Sequence, residues 1–329
     1  MMYHRLRVID VIEETPDAHS LVLRVPPELT TEFAYRPGQY LTVRVPHGRG
    51  IVARCYSLSS APYTETDLKI TVKRVPGGPA SNWICDDIRA GASLELMPPA
   101  GSFTPDSLDG DLLLLAGGSG ITPVMSIIKS VLAAGRGRLA LLYANRDQHS
   151  IIFATELATL SELHGDRLSV THWLDSERGT PDPATLANLI SPYAGWETYV
   201  CGPAPFVVVA QDTLRRAAVP ADRIQVERFE VERRTADDRD ATLEVELDGQ
   251  THRLPWPAGA RLLDVLIAAG LNAPFSCRQG QCGACACRLL DGQVDLAHNE
   301  ILEEEDFADG YILACQALAR SDEVSVTYY

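Results

Sequence analysis

Cys277, Cys282 and Cys285 stand in a C-x4-C-x2-C run, and Cys315 follows about thirty residues later. Four thiolates at this spacing fit the ligation of a 2Fe-2S cluster, with Cys277, Cys282, Cys285 and Cys315 as the metal ligands. Gly280 and Gly283 fall within the run, where positive φ and close backbone approach let a loop fold tightly round two irons. Backbone N–H groups of such a loop can bond to the sulfurs and tune the potential. Zinc is the rival occupant. Zinc ribbons carry two close C-x2-C pairs, whereas these four cysteines contain one. Cys287, two residues past Cys285, fits the spacing worse. Cys55, Cys85 and Cys287 read as small buried side chains. The eight histidines form no pair at helical metal-ligand spacing. A one-electron centre needs a source and a sink, and three other stretches bear on the source.

Gly117-Gly118-Ser119-Gly120 separates the apolar run 111–116 from a helical stretch at 124–134. Glycines there let a pyrophosphate approach the N–H groups of a helix start. The run is not the G-x-G-x-x-G fingerprint. Gly77-Gly78-Pro79-Ala80-Ser81-Asn82 offers a second helix start of the same kind. Arg54-Cys55-Tyr56-Ser57-Leu58 combines a cation, an aromatic ring and a hydroxyl on a strand. A flavin needs that mixture, although an ordinary strand with an exposed arginine fits it too. Asn145-Arg146-Asp147 ends a further strand with both signs of charge. An acid there grips a ribose 2′-OH and an arginine accepts a 2′-phosphate, so the residues by themselves lean to NADPH.

The elements that must carry these residues change along the chain. Residues 1–105 hold short β-rich runs at 6–12, 20–25, 40–45 and 68–73, broken by Pro-Gly turns, and predict an antiparallel β-barrel. Residues 106–230 alternate apolar strands and helices, as in an α/β domain with a parallel sheet, which binds ligands at the strands' carboxyl ends. Residues 231–241 are charged and read as a solvated linker. Residues 242–329 open with alternating strand residues, turn at Asp248-Gly249, and continue into a helix over 262–269 with one apolar face that stops at Gly270.

At 329 residues, two or three domains are expected. The net charge of -15 argues against nonspecific binding to nucleic acid or an anionic membrane. No apolar run approaches the roughly 20 residues of a membrane span, and the start of the chain lacks a signal-peptide core. With four cysteines assigned to one motif, a reducing cytoplasm is the expected setting. Residues 242–329 hold fourteen Asp and Glu against five Lys and Arg, so -9 of the charge sits there. That skew fits docking on a basic partner patch as well as a solubilising surface. Glu303-Glu304-Glu305-Asp306 reads as a solvated face.

Arg54-x-Tyr56-Ser57-Leu58, Gly77-Gly78-x-x-Ser81, Gly117-Gly118-Ser119-Gly120-Ile121-Thr122-Pro123 and Cys201-Gly202-Pro203 together resemble the ferredoxin–NADP⁺ reductase superfamily. The cysteine run resembles a plant-type ferredoxin joined at the C-terminus. The combination spans nearly the whole chain. Tyr143-Ala144-Asn145-Arg146-Asp147, His172-Trp173-Leu174-Asp175-Ser176 and Glu227-Arg228-Phe229 are similar to the reductases of 3-ketosteroid 9α-hydroxylases, with those of phenylacetyl-CoA epoxidases close by. The resemblance implies a multidomain oxidoreductase: FAD in the barrel, NADH (NADPH being the alternative) in the α/β domain, and the 2Fe-2S cluster in a C-terminal β-grasp domain. It implies that Arg54 binds FAD phosphate, Tyr56 stacks on the flavin, Ser57 lies near N5, and Gly78, Ser81 and Asn82 hold the pyrophosphate. It implies that Gly117, Gly118 and Thr122 contact the nicotinamide cofactor, and that Cys201, Gly202 and Pro203 lie near its ring. Phe229 is implied to cover the other flavin face, and a plain core position fits it equally. Electrons would leave singly for an oxygenase component, with a monomeric reductase as donor. Reductases of other diiron oxygenases and a flavin/iron–sulfur redox sensor are the rival readings. The purified protein should be brown, with visible absorption; a colourless zinc protein would overturn the cluster assignment.

Overall fold

The computed structural model describes residues 3–47, 50–228, 240–275, 280, 283–299 and 301–328. They fall into two compact units: one comprises residues 3–45 and 54–228, and the other contains the described residues from 240 onwards. Residues 231–239 of the expected linker, Phe229, Cys277 and Cys282 lie outside the described residues, while Ala241, expected at the end of the linker, is buried and already opens a strand.

The first unit holds two sheets. The first contains β1 (His4–Thr15), β2 (Ala18–Arg24), β3 (Tyr40–His47), β4 (Gly50–Ser57), β5 (Leu68–Lys73) and β6 (Ser93–Leu96), ordered β4-β3-β6-β1-β2-β5. Its resolved pairings are antiparallel. The outer strands meet through an antiparallel bridge between Leu58 and Ile70, which curls the sheet back on itself in the manner of a barrel. Leu6, Val8, Leu21, Leu23, Leu41, Val43, Ile70 and Val72 line its interior. Helix α1 (Pro79–Asp87) follows β5.

The second sheet is parallel. It contains β7 (Leu112–Gly117), β8 (Leu139–Asn145), β9 (Leu168–Leu174), β10 (Glu197–Gly202) and β11 (Ile224–Arg228), ordered β11-β10-β7-β8-β9. Helices α2 (Ile121–Ala134), α3 (Ala154–Leu163), α4 (Asp175–Arg178), α5 (Pro183–Ile190) and α6 (Ala204–Arg216) connect the strands. Leu112 and Leu114 pack among residues of α2 and α3, while Leu113 and Leu115 pack among residues of α5 and α6. Burial on both faces explains why β7 reads as a continuous apolar run. Each of these leucines contributes roughly 2 kcal/mol of apolar burial. The strand order reverses at β7, between β8 and β10, and this switch point opens a crevice at the carboxyl edge.

The two sheets meet along α2, in which every residue from Ile121 to Leu132 is buried. Ser126 Oγ donates to Ser60 O at 2.5 Å. Lys129 Nζ lies 2.6 Å from Glu65 in the β4–β5 connection and 3.3 Å from Glu156 on α3. Lys69 of β5 shares Glu156 at 3.4 Å and stands over the Phe153 ring. Two cations and two carboxylates thus neutralise one another across the junction. An ammonium in so closed a place needs such partners, because burial of an isolated charge is costly.

The second unit contains β12 (Ala241–Leu247), β13 (Gln250–Trp256), α7 (Leu262–Ala268), β14 (Ala286–Asp291), β15 (Val294–Leu296), α8 (Glu304–Ala308), β16 (Tyr311–Leu313), β17 (Ala317–Ala319) and β18 (Glu323–Thr327). Its main sheet is ordered β13-β12-β18-β14-β16, with β12 and β18 parallel. Asp248 and Gly249 both take positive φ, the geometry of a tight hairpin turn. Leu262, Leu263, Leu266 and Ile267 bury the inner face of α7. Gly270 ends that helix at φ +78°, and Leu271 N closes it on Leu266 O at 3.0 Å. The acidic run at 303–306 is more than a solvated face: Glu303 and Asp306 form a capping box that starts α8.

Lys129→Met should cost the first unit about 2 kcal/mol, the loss of a buried cation being tempered by the partial exposure of its two carboxylates. Denaturant unfolding checks this. The same substitution in a Glu65→Gln/Glu156→Gln background should cost much less.

Candidate functional site

The glycine turn after β7 lies where the backbone is most crowded. A Cβ placed on Gly120 would stand 2.1 Å from Cys201 O. One on Gly202 would reach Gly117 Cα at 3.0 Å and the Phe206 ring at 2.9 Å. Gly118 has φ +50°. The turn and the end of β10 are therefore in backbone contact at the switch point, which side chains would prevent. Thr122 Oγ1 donates to Ser119 O at 3.0 Å and Tyr143 OH donates to Gly118 O at 3.0 Å, so both brace the turn. Helix α2 starts with no side-chain cap and no acid in its first turn. Its end therefore favours an anion, and the crevice fits a nucleotide pyrophosphate. Pro203, exposed, begins α6.

Lys73 also reaches this turn. Its Nζ would lie 3.8 Å from a Cβ on Gly118. Burial lowers its pKa most, Asp17 opposes that, Arg146 adds to it, and Asp147 opposes it. Sequence reading passed over Lys73, because a lysine closing a regular strand carries no signal. Arg146, just past β8, pairs with Asp17 at 3.0 Å. Asp147 accepts from Ser150 N and Oγ, which holds it below the usual carboxylate range.

On the barrel side, Arg54 and Tyr56 are half-buried on β4, and burial raises the Tyr56 phenol. Leu58 is fully buried and forms the closing bridge. Cys55 is exposed, contrary to the expectation of a buried thiol: β4 is an outer strand, and this side chain stays out of the core. Cys85 and Cys287 are buried as expected. Gly78 precedes α1, where Ser81 Oγ accepts from Val75 N at 3.1 Å and Asn82 Nδ2 donates to Val75 O at 3.2 Å. These bonds fold the 75–78 turn onto a helix start that has neither a side-chain cap nor an acid. The start of α1, with Arg54 on β4 in the same unit, fits a dinucleotide such as FAD.

Barrel and parallel sheet converge on Glu227 of β11, which the sequence offered only as part of the Glu227-Arg228-Phe229 resemblance and to which it assigned no role. Ser57 Oγ donates to Glu227 Oε2 at 3.3 Å, and Cys201 Sγ donates to the same oxygen at 3.8 Å. All three are buried. Glu227 sits opposite Cys201 in the β10–β11 register. Burial pushes the carboxyl up to about 8, against the lowering effect of its two donors. Burial likewise raises the Cys201 thiol, and Glu227 adds to the rise. The carboxyl is thus largely protonated at neutral pH. A glutamate in a short strand looks exposed in sequence, and nothing local reveals its partners.

In the second unit, Cys285 and Cys315 are buried together. Cys315 N donates to Cys285 Sγ at 3.5 Å, and Gln316 Nε2 donates to Cys315 Sγ at 3.4 Å. The Cys315 thiol lies low, at about 6, chiefly through its hydrogen bond with Cys285. A Cβ on Gly280 would meet His298 O at 2.7 Å, so the loop needs glycine there. N–H donors aimed at paired sulfurs fit a 2Fe-2S cluster.

The chain matches family models for the oxidoreductase FAD-binding domain at residues 5–104, the oxidoreductase NAD-binding domain at 114–212 and the 2Fe-2S iron-sulfur cluster binding domain at 245–320. It is therefore an oxidoreductase of the modular flavin and iron–sulfur class, passing electrons from NAD(P)H through FAD to a 2Fe-2S cluster. It is 49% identical to the 3-ketosteroid-9-alpha-monooxygenase ferredoxin reductase component of Mycobacterium tuberculosis, covering 98% of this chain and 95% of the relative. It is 32% identical to one component of the 1,2-phenylacetyl-CoA epoxidase of Escherichia coli, covering 99% of this chain and 98% of the relative. Phthalate dioxygenase reductase superposes with a TM-score of 0.77 at 25% identity, covering 99% of this chain and 98% of that one. The chain belongs to the family of monooxygenase ferredoxin reductase components.

The folded protein keeps a proton on Glu227 that the unfolded chain releases between pH 4.5 and about 8, so this residue's contribution to stability falls as pH rises through that window. Glu227→Gln should remove the fall. Its stability relative to the parent should grow with pH through that window, by on the order of 5 kcal/mol. Unfolding curves at several pH values check it.

Proposed function

We propose that this chain is the reductase of a 3-ketosteroid 9α-hydroxylase, feeding single electrons to its oxygenase. The observation that carries the site reading is the shared Glu227 oxygen, which joins the Ser57 strand to the Cys201 end of the nucleotide sheet. The steroid assignment rests on the 49% identity to the mycobacterial reductase.

When bound, FAD supplies the step between two-electron and one-electron chemistry, and the cluster supplies one-electron carriage. In this reading Arg54, Gly78, Ser81 and Asn82 hold the flavin phosphates at the start of α1. Tyr56 and Phe229 would be the aromatic residues that hold the flavin ring. The Gly117–Gly120 turn and Lys73 hold the nucleotide pyrophosphate, while Cys201, Gly202 and Pro203 flank the nicotinamide. Ser57 Oγ offers a hydrogen bond beside the reacting atoms. Glu227, kept neutral by burial, accepts from Ser57 Oγ at Oε2 and so orients that hydroxyl. Its neutrality would keep a negative charge away from a bound nicotinamide. Cys277, Cys282, Cys285 and Cys315 hold the cluster, and the acidic second unit offers a face for a basic oxygenase surface.

Among the described residues no helix is long and apolar enough to cross a membrane. The described cysteines are unbridged. The unbridged thiols fit a reducing cytoplasm, and a monomer is the proposed state.

Reconstitution tests the assignment. With a 3-ketosteroid oxygenase and its substrate, NADH consumption should yield hydroxylated steroid. Product with a phenylacetyl-CoA epoxidase and none with the steroid enzyme would transfer the assignment to that system. Cys285→Ser should leave ferricyanide reduction nearly intact and stop delivery to the oxygenase; equal loss of both would sink the modular scheme.

A further inference from the structure

Arg146 stands immediately past β8, the strand beside the glycine-turn strand β7. In a parallel α/β sheet this is where an acid reads the ribose 2′-OH or an arginine takes a 2′-phosphate. Its guanidinium is engaged from the other sheet of the same unit. Arg146 Nη2 lies 3.0 Å from Asp17 Oδ2 and 3.4 Å from Ser150 Oγ. Asp17, in the β1–β2 turn, is itself fixed. Its Oδ1 accepts from Thr15 Oγ1 at 2.9 Å, and its backbone oxygen accepts from Arg74 N at 2.7 Å. Asp147 completes the local anions and is turned to Ser150.

We propose that Asp17 is a specificity-determining residue that discriminates against NADPH by holding Arg146 in an ion pair. A 2′-phosphate arriving at Arg146 must displace a tethered carboxylate or lie beside it. Either costs free energy, through a lost charge-assisted bond or through repulsion between like charges. A ribose 2′-OH carries no charge and meets neither cost. Discrimination thus rests on a repulsive element from the barrel sheet, and the arginine at the strand end is a misleading guide by itself. The pair contributes little to stability: the side chains are 67% and 31% exposed, and pairs of that kind are weak. Its consequence lies in the charge that it presents to the nucleotide. This inference rests on the reading of the carboxyl edge of β7 and β8 as the pyridine-nucleotide site.

Steady-state kinetics with ferricyanide as acceptor test it. Asp17→Asn should raise the NADPH-to-NADH ratio of kcat/KM about tenfold, with the change in the KM for NADPH, as one freed guanidinium–phosphate contact allows. Adding Arg146→Gln should erase that gain. Inhibition competitive with NADH gives a second readout: 2′-phospho-AMP should bind Asp17→Asn more tightly than the parent, and 5′-AMP should bind both alike. If 5′-AMP competes but the substitution moves neither NADPH nor 2′-phospho-AMP, the gating role is wrong and the site reading stands. If neither adenylate competes with NADH, both fall. Equal losses with the two nucleotides would show that Asp17 is only structural and would overturn the proposal.

Discussion

The ammonium of Lys129 lies in a helix with no exposed face to carry it, and two carboxylates reach it from different parts of the fold. Glu65 comes from the barrel, and Glu156 comes from the parallel-sheet domain. A charge so placed is tolerable only when both partners are present, so the interaction ties the docking of two sheets to one side chain. Helix α2 then has a double duty. Its flank is the wall between the sheets, and its first turn lies at the crevice where β7 and β10 diverge. Whatever binds at that crevice is thereby placed with respect to the barrel.

The same docking brings Ser57 to Glu227. A carboxyl removed from water and supplied, among the described residues, with two neutral donors and no cation resolves its electrostatic problem by keeping its proton. An arginine or lysine in contact with it would have ionised it. The arrangement therefore yields a neutral, proton-bearing group between a flavin-type strand and the end of a nucleotide-binding strand. Backbone crowding supports it from beneath, since the contact between Gly120 and Cys201 O leaves β10 little room to shift. In the second unit the demand is different. Cys285 and Cys315 need N–H donors around their sulfurs, and these come from Cys315 itself and from Gln316.

The 2Fe-2S domain, the buried strand β7, the helix over 262–269 and the hairpin turn at Asp248-Gly249 were all legible in the chain. Each obeys a local rule: ligand spacing, burial on both faces, helical periodicity, or positive φ in a tight turn. Cys55 was misjudged because composition predicts average burial and says nothing about which strand ends at an edge. Lys129 was overlooked because a lysine in an amphipathic pattern looks like a snorkelling surface residue.

By itself, then, the sequence determined the order of modules, the cofactor classes and the candidate ligands, since these depend on neighbours within a few residues. Tertiary structure alone decided which charged groups are neutralised and by what. Glu227 meets Ser57 across 170 residues, Lys129 meets Glu65 across 64, and Arg146 meets Asp17 across 129. Electrostatic state is set by distance and solvent access, and neither can be read from separation along a chain.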